Sequence, residues 1–426
     1  MKSSRKMRAA GAASAVAALL LLTACSAASG DSVSAGVTDK KIVIGVSSDV
    51  TGPAAANIMP YLNGIKAYVG DLNEKGGIHG RTINLVVEDD KTETPKGVSI
   101  YRKFLTQEPA LAQLGPSSAT IQNAIASQVA EQDMPVVGPL ITSADIVNPF
   151  NPHFFSLACT YADQADVAVA YMIRKTGVEK PRVVTALTET ASGKEWASLI
   201  KERVESVGGT VVAEHTLQYG ALDEDVFAQA VAKDKPDMLF LHGATNTAQV
   251  MMKSFAKFGV TNLPIGASAV MQDALIPAAG PNVSNNYYAF DCYRNPADAG
   301  IPGDAAIAAG KKIGLNETDY LRPQFTQGYV AASVLAKAIE DSGSSPTRES
   351  VNEKLAAIKD LDTGGLSPTI TFGSDNRLGV NGMLAYRFDP ASKKFTPEGE
   401  FEDYAGCITK YYVTKSIAEW SPDCIR

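Results

Sequence analysis

Short runs of apolar, mostly β-branched residues alternate along this chain with longer stretches in which apolar residues recur every three or four positions. Lys41-Ile42-Val43-Ile44-Gly45-Val46 reads as a strand and the segment that follows, to Asn73, as a helix. The same logic predicts a strand over Ile83 to Val87, a helix over Pro95 to Gln107, a strand over Leu111 to Leu114, a helix over Ser118 to Gln132 and a strand over Pro135 to Gly138. The alternation resumes after Asp163. Strands are expected at Arg182 to Leu187, Thr210 to Ala213, Met238 to Leu241 and Pro264 to Gly266. Helices are expected at Trp196 to Val207, Asp225 to Lys233 and Ala248 to Phe258. This spacing predicts parallel sheets covered by helices on both faces. Two such series, one before about residue 150 and one after about 180, predict two similar lobes. A long helix (Thr326 to Asp341) and a mixed, Gly-rich tail follow. Binding sites in such folds lie beyond the carboxyl ends of the strands.

The first residues follow a different pattern. Lys2, Arg5, Lys6 and Arg8 lead into an apolar run from Ala12 to Leu22, then Leu22-Thr23-Ala24-Cys25. Basic start, apolar middle and small residues before a cut make an export signal. The apolar run is short for a span of about 20 residues. A cysteine directly after the small residues resembles the lipobox of bacterial lipoproteins. That resemblance implies cleavage before Cys25, lipid on its sulfur, and a body held at the outer face of the cytoplasmic membrane. Ser26 to Val37 is small and polar, and reads as a flexible leash.

Composition narrows the options. A chain of 426 residues with 45% hydrophobic and 20% charged residues suits a soluble body of two domains. The net charge is −7, and removing residues 1–24 takes away four positive charges and no negative one, leaving −11. That argues against nucleic acid and against adhesion to an anionic lipid surface. With Cys25 lipidated, Cys159, Cys292, Cys407 and Cys424 remain, an even number with three possible pairings. No C-x-x-C spacing suggests zinc or redox chemistry. Enzyme signatures are absent as well. His79, His153, His215 and His242 are isolated, with no metal-binding spacing, and only His242, ending a strand, stands out as a ligand contact. Ser192-Gly193-Lys194 lacks the upstream glycine of a phosphate loop, and Glu195 replaces its Ser/Thr. No G-x-S-x-G elbow occurs. Neither catalysis, a metal nor a cofactor is expected.

Several segments together look like the branched-chain-amino-acid-type substrate-binding proteins of ABC importers. They are Ile42-Val43-Ile44-Gly45 with Thr51-Gly52-Pro53, Asp71-Leu72-Asn73-Glu74-Lys75-Gly76-Gly77-Ile78-His79-Gly80, Leu85-Val86-Val87-Glu88-Asp89-Asp90, Leu114-Gly115-Pro116-Ser117-Ser118-Ala119-Thr120, and Pro135-Val136-Val137. The similarity runs from about 40 to about 390 and is strongest before 145. The Asn-Glu-Lys-Gly-Gly-Ile piece is explained structurally, by a left-handed glycine ending a helix and Ile78 folding back on it. The resemblance implies the type I periplasmic-binding-protein fold: two Rossmann-like α/β lobes with parallel sheets joined by three hinge crossovers. It implies a signal peptide over 1–24 and a lipidated cysteine with linker over 25–39. Lobe one is then 40–158 plus 294–362, and lobe two 159–293 plus 363–426. The first two crossovers are expected near Phe155 to Tyr161 and Tyr287 to Tyr293. Cys159 and Cys292 fall on them and are favoured as a disulfide, with Cys407–Cys424 as the second.

The same resemblance implies where a ligand sits. Ser117, Ser118 and Thr120 begin a helix after a strand, where free N–H groups and hydroxyls suit an anion. From the residues alone ordinary capping is the better reading. The resemblance reverses that, because these positions match the family's carboxylate-binding hydroxyls. Leu140 and Thr142 match its second contact segment. Ser192, Ala244 and Ser268 match contacts on lobe two, and they depart from the family. Ser192 and Ala244 stand where tyrosines are common, and Ser268 where a glutamate often holds an ammonium. Asp163 is the first substitute for that carboxylate, with Asp291 and Glu189 behind it. Gln324 is a further candidate for the cleft. The expected ligand is bulkier than leucine or lacks an α-amino group, with an apolar or aromatic carboxylate as the working choice. The expected partner is an ABC permease, and the alternative role is a lipoprotein that reports its ligand to a separate signalling chain.

Overall fold

The computed structural model describes residues 34–403 apart from 117, 142–145, 147–148, 274–275, 278–279 and 299. Cys25, Ser117, Thr142, Cys407 and Cys424 lie outside the described residues.

The first sheet has five parallel strands: β1 Lys41–Ser48, β2 Thr82–Asp89, β3 Ala112–Leu114, β4 Val136–Val137 and β5 Phe154–Phe155, in the order β2-β1-β3-β4-β5. β1 runs beside β2 without a slip, from Lys41 opposite Thr82 to Ser48 opposite Asp89. The second sheet has seven: β6 Arg182–Thr188, β7 Thr210–Leu217, β8 Met238–His242, β9 Ile265–Ala267, β10 Tyr287–Asp291, β11 Gly382–Asp389 and β12 Lys394–Asp403, ordered β12-β11-β10-β9-β8-β6-β7. β6 to β10 are parallel, and β11 and β12 are antiparallel additions at one edge. That hairpin sits in the tail for which the hydrophobic pattern predicted only mixed structure.

Helices α1 Ala55–Glu74, α2 Thr94–Thr106 and α3 Ala119–Glu131 belong to the first lobe. Helices α4 Tyr161–Thr176, α5 Ala191–Ser206, α6 Asp225–Asp234 and α7 Thr245–Lys257 belong to the second. The chain then returns to the first lobe with α8 Ile301–Lys312, α9 Pro323–Asp341 and α10 Arg348–Ala356. α9 crosses α1 at two glycines: a Cβ on Gly64 would lie 2.0 Å from the Phe325 carbonyl oxygen, and one on Gly328 1.9 Å from that of Tyr61. Backbones this close leave no room for a side chain, so the crossing fixes α9 on the first lobe. The Asn-Glu-Lys-Gly-Gly-Ile stretch ends α1. Gly77 has φ +69° and its N–H donates to the Leu72 carbonyl. Ile78 is buried, and the Asn73 amide pairs with both backbone groups of Ile83, which ties α1 to β2.

Three boundaries differ from expectation. Val37, expected in the leash, is buried and bridges Ile42, while Gly36 accepts from the Val43 N–H. The fold thus already holds residues 34–37. Tyr287–Asp291 is a strand of the second sheet, so the second crossover starts at Cys292. Residues 363–380 pack on lobe one instead of lobe two: Leu378 bridges Ser156 beside β5, and Phe372 meets Phe155 edge-on at 5.2 Å. The third crossing therefore comes just before Gly382.

The first crossing spans 156–160, between β5 and α4. Here Cys159 is bonded to Cys292, with Cα atoms 5.9 Å apart. Tyr293 donates its hydroxyl to the Leu157 carbonyl at 2.5 Å, a second tie between the crossings. Asp291 is 5% exposed and accepts from the Tyr293 N–H at 3.0 Å. Burial, partly offset by those backbone N–H groups, pushes its carboxyl up to about 8. Burial likewise pushes Asp163 up to about 7. An acid whose folded pKa is raised stabilises the fold fully below its unfolded pKa, and that contribution is lost as pH rises through the folded value. The thermal midpoint should therefore fall by several degrees between pH 6 and pH 9. Asp291→Asn should flatten the upper part of that curve, and scanning calorimetry across the pH series checks both.

Candidate functional site

A cavity of about 690 Å³ lies between the lobes, beyond the carboxyl ends of both sets of strands. Its walls come from the starts of four helices. The N-cap residues Ala54 of α1, Ser118 of α3, Thr190 of α5 and Ala244 of α7 all line it. Each strand–helix unit in such a fold aims the helix N-terminus, with its unpaired N–H groups and partial positive charge, at this one place.

The four starts are not equivalent. At α1 the Asp49 carboxylate accepts from the Gly52 and Ala54 N–H groups at 2.5 and 2.9 Å, so the anion there is already part of the protein. At α5 the Thr190 hydroxyl accepts from the Gly193 N–H at 3.0 Å. Ser118 and Ala244 make no side-chain cap to α3 or α7. Among the described residues, the contact of Ser118 Oγ is a long one, 3.5 Å, to the Thr120 hydroxyl. The capping role that the residues alone favoured for Ser118 is not the one it plays. Among the described residues the start of α3 has no capping side chain and is left for an anion, whereas at α7 the Asn246 amide oxygen already accepts from the Thr247 N–H at 3.0 Å.

Among the described residues that line the cavity there is no Asp, Glu, Lys or Arg. The one titratable base is His242 at the end of β8, 3% exposed, whose pKa burial pushes down to about 3. It is neutral at any physiological pH. Its Nδ1 lies 2.7 Å from Ser268 Oγ. Tyr161 stands edge-on to its ring at 5.2 Å and Trp196 lies behind at 6.1 Å. Ser192 hydrogen-bonds the buried Tyr161 hydroxyl and lies 3.0 Å from Thr190 Oγ1.

Ser118, Thr120, Leu140, Ser192 and Ala244 come together on the cavity wall. Ser268 is fully buried behind it and reaches the cavity only through His242. Asp163 is elsewhere. It is the third residue of a capping box at the start of α4, accepting from the Thr160 N–H at 2.8 Å while its own N–H donates to the Thr160 hydroxyl at 3.1 Å. The other two candidate acids are off the cavity wall as well: Asp291 is in the hinge, at the small hollow that adjoins the cavity, and Glu189 is on the surface paired with Lys194 at 3.1 Å. Gln324 lies in a small adjoining hollow beneath Ala269. Tyr161, Thr190, Tyr219 and Thr245 also line the cavity, although no motif in the sequence marks them. Each follows a strand or crossover end, a place that two-lobed folds use, but nothing in the residue types marks it.

Thr245 also joins the lobes. Its hydroxyl is 3.2 Å from both Asn57 Oδ1 and Asp273 Oδ2. Asp273 pairs with Arg322 at 2.7 Å, and Arg322 donates to the Ala56 carbonyl at 3.3 Å. One string of polar groups therefore crosses the mouth of the cavity.

The family model described as "Periplasmic binding protein" matches residues 41–394. The chain belongs to that family. Among its relatives, the Leu/Ile/Val-binding protein BraC3 of Rhizobium johnstonii is 25% identical over 353 residues, 82% of this chain and 92% of that protein. A branched-chain amino acid ABC transporter structure from Thermus thermophilus with bound valine superposes with a TM-score of 0.79 at 15% identity, covering 89% of this binding protein and all (100%) of the other. An ABC transporter solute-binding protein from R. palustris in complex with benzoate gives 0.72 at 19% identity, covering 85% and 98%. These are substrate-binding proteins and not enzymes, and the two-lobed architecture above is their type I fold. No helix among the described residues of this binding protein is long and apolar enough to cross a membrane.

A hydrogen bond to a charged group contributes about 1.5–3 kcal/mol. Ser118→Ala should therefore weaken binding of a carboxylate ligand about tenfold or more with little change in thermal midpoint. Thr190→Ala should do the reverse, lowering stability by about 1 kcal/mol through loss of a true cap. Titration calorimetry beside thermal denaturation of both variants separates the two roles.

Proposed function

We propose that this binding protein is the lipid-anchored receptor of an ABC importer, and that it captures an apolar or aromatic carboxylate lacking an α-ammonium group. The observation that carries the ligand class is the absence of Asp, Glu, Lys and Arg among the described lining residues. A buried ammonium without a carboxylate partner is costly, and Asp163, Asp291 and Glu189 all lie off the cavity wall. A carboxylate, by contrast, finds an uncapped helix start and the hydroxyls of Ser118 and Thr120 on lobe one. Ser117 and Thr142 complete that carboxylate site in this reading. Small residues at Ser192 and Ala244 leave room for a body larger than a leucine side chain.

In the proposed cycle the carboxylate docks on lobe one and hinge motion at the crossovers brings lobe two onto it. Ligand favours the closed form only by its differential affinity for that form. The closed form then docks on a permease whose ATPase drives release. Lipid on Cys25 holds the protein near that permease. Each buried CH₂ of an acyl chain contributes about 0.8 kcal/mol, so several chains make a firm anchor.

A thermal-shift panel of aliphatic and aromatic amino acids beside their deaminated acids tests the ligand class. A ligand at 100-fold its dissociation constant stabilises by about 2.7 kcal/mol. The largest shift should come from a deaminated acid, whereas a largest shift from leucine, isoleucine or valine would show the reading wrong. The anchor is tested by expressing Cys25→Ala in a bacterial host, where the protein should move from the detergent phase to the aqueous phase on phase separation.

A further inference from the structure

The carboxylate reading leaves one feature of the cavity unused. His242 lines it and is 3% exposed, yet no anion chemistry requires a neutral imidazole there. The ring is built into place. Ser268, fully buried, holds Nδ1 at 2.7 Å, and Tyr161 and Trp196 flank the ring. With Nδ1 engaged, Nε2 has no hydrogen-bond partner among the described residues.

We propose that His242, oriented by Ser268, determines specificity by reading a neutral oxygen function on the bound carboxylate. The preferred ligand class is then a hydroxy- or oxo-carboxylate with an apolar body. This deepens the carboxylate reading above and rests on it.

The chemistry of the pair supports the choice. A serine hydroxyl can donate to Nδ1 or accept from it, so either tautomer of the imidazole is available. When Ser268 donates, Nε2–H is a donor suited to a ligand carbonyl. When Ser268 accepts, bare Nε2 is an acceptor suited to a ligand hydroxyl. A ligand with only C–H groups at this point leaves a desolvated imidazole nitrogen unpaired, which lowers its affinity. An ammonium could hydrogen-bond Nε2, but its charge would have no counter-charge among the described lining residues. The depressed basicity of His242 keeps the ring from becoming a second cationic site for the carboxylate.

The test is titration calorimetry on the purified full chain with one carbon skeleton: 3-phenylpropanoate, its 2-hydroxy, 2-oxo and 2-ammonio forms, and 3-(4-hydroxyphenyl)propanoate. At least one oxygen-bearing acid should bind about tenfold or more tighter than 3-phenylpropanoate. In His242→Leu that ratio should fall to about one, and His242→Gln, a neutral donor and acceptor, should restore part of it. Ser268→Ala should change the preference between the hydroxy and oxo acids, and this milder variant keeps the test decisive if His242→Leu does not fold. Equal affinity for oxygen-bearing and plain acids in the unmodified protein overturns the role of His242, as does a ratio that survives in His242→Leu. Tightest binding of the 2-ammonio form, or binding of none of the five, overturns the carboxylate reading itself and this inference with it.

Discussion

Everything in this molecule depends on where the chain crosses between its two sheets. The first two crossings are tied by the Cys159–Cys292 bond and by the Tyr293 hydroxyl on the Leu157 carbonyl, so the lobes share one seam. The close passage of α1 over α9 at Gly64 and Gly328 anchors the returning segment to the first lobe. With the seam fixed, the carboxyl ends of both parallel sheets face the same gap. The helices that follow those strands start there, and their N-termini become its walls. The site is thus a result of topology before it is a result of any particular side chain.

Side chains then decide what the gap will accept. Asp49 neutralises the start of α1 and Thr190 caps α5, whereas Ser118 and Ala244 make no side-chain cap to α3 and α7. At α3 and α7 the helix starts carry the partial positive charge of their backbone dipoles. The described lining residues, none of them Asp, Glu, Lys or Arg, keep the local dielectric low, which strengthens such interactions. Relatives are named for leucine, isoleucine and valine, and fold neighbours have been solved with valine and with benzoate. The scaffold is therefore shared across ligands with and without an ammonium.

Most of the architecture was legible in the sequence because parallel α/β folds write their elements plainly. Runs such as Arg182 to Leu187 are apolar on both faces, and the helices between them are amphipathic. The edge hairpin of β11 and β12 was not legible. Its strands carry Gly382, Pro397 and Gly399, and β11 shows no clean apolar–polar alternation, being buried on both faces from Gly382 to Tyr386 and alternating only after that. At the site, Ser118, Thr120, Leu140, Ser192 and Ala244 were expected from the family resemblance, whose contact positions they match, and all five line the cavity. Asp163 could not be placed, since a carboxylate three residues into a helix fits both a ligand and a capping box, and only the Thr160 geometry separates them. The Ser268 partnership was hidden for a related reason: His242 and Ser268 are 26 positions apart and meet only when β8 and β9 lie side by side.

The docking of Val37 beside Ile42 has a mechanical side. With the proposed lipid on Cys25, it would take the final residues of the polar stretch out of the tether, leaving only the residues between 25 and 34 to separate lipid from folded body. At about 3.3–3.6 Å per residue, such a tether reaches roughly 30 Å at full stretch. A body on so short a line can pivot but cannot turn freely, so the range of angles it presents to a neighbouring membrane protein is restricted before any protein contact forms. Lengthening the line would relax that restriction and dilute the body into a larger volume, lowering its effective concentration at the membrane.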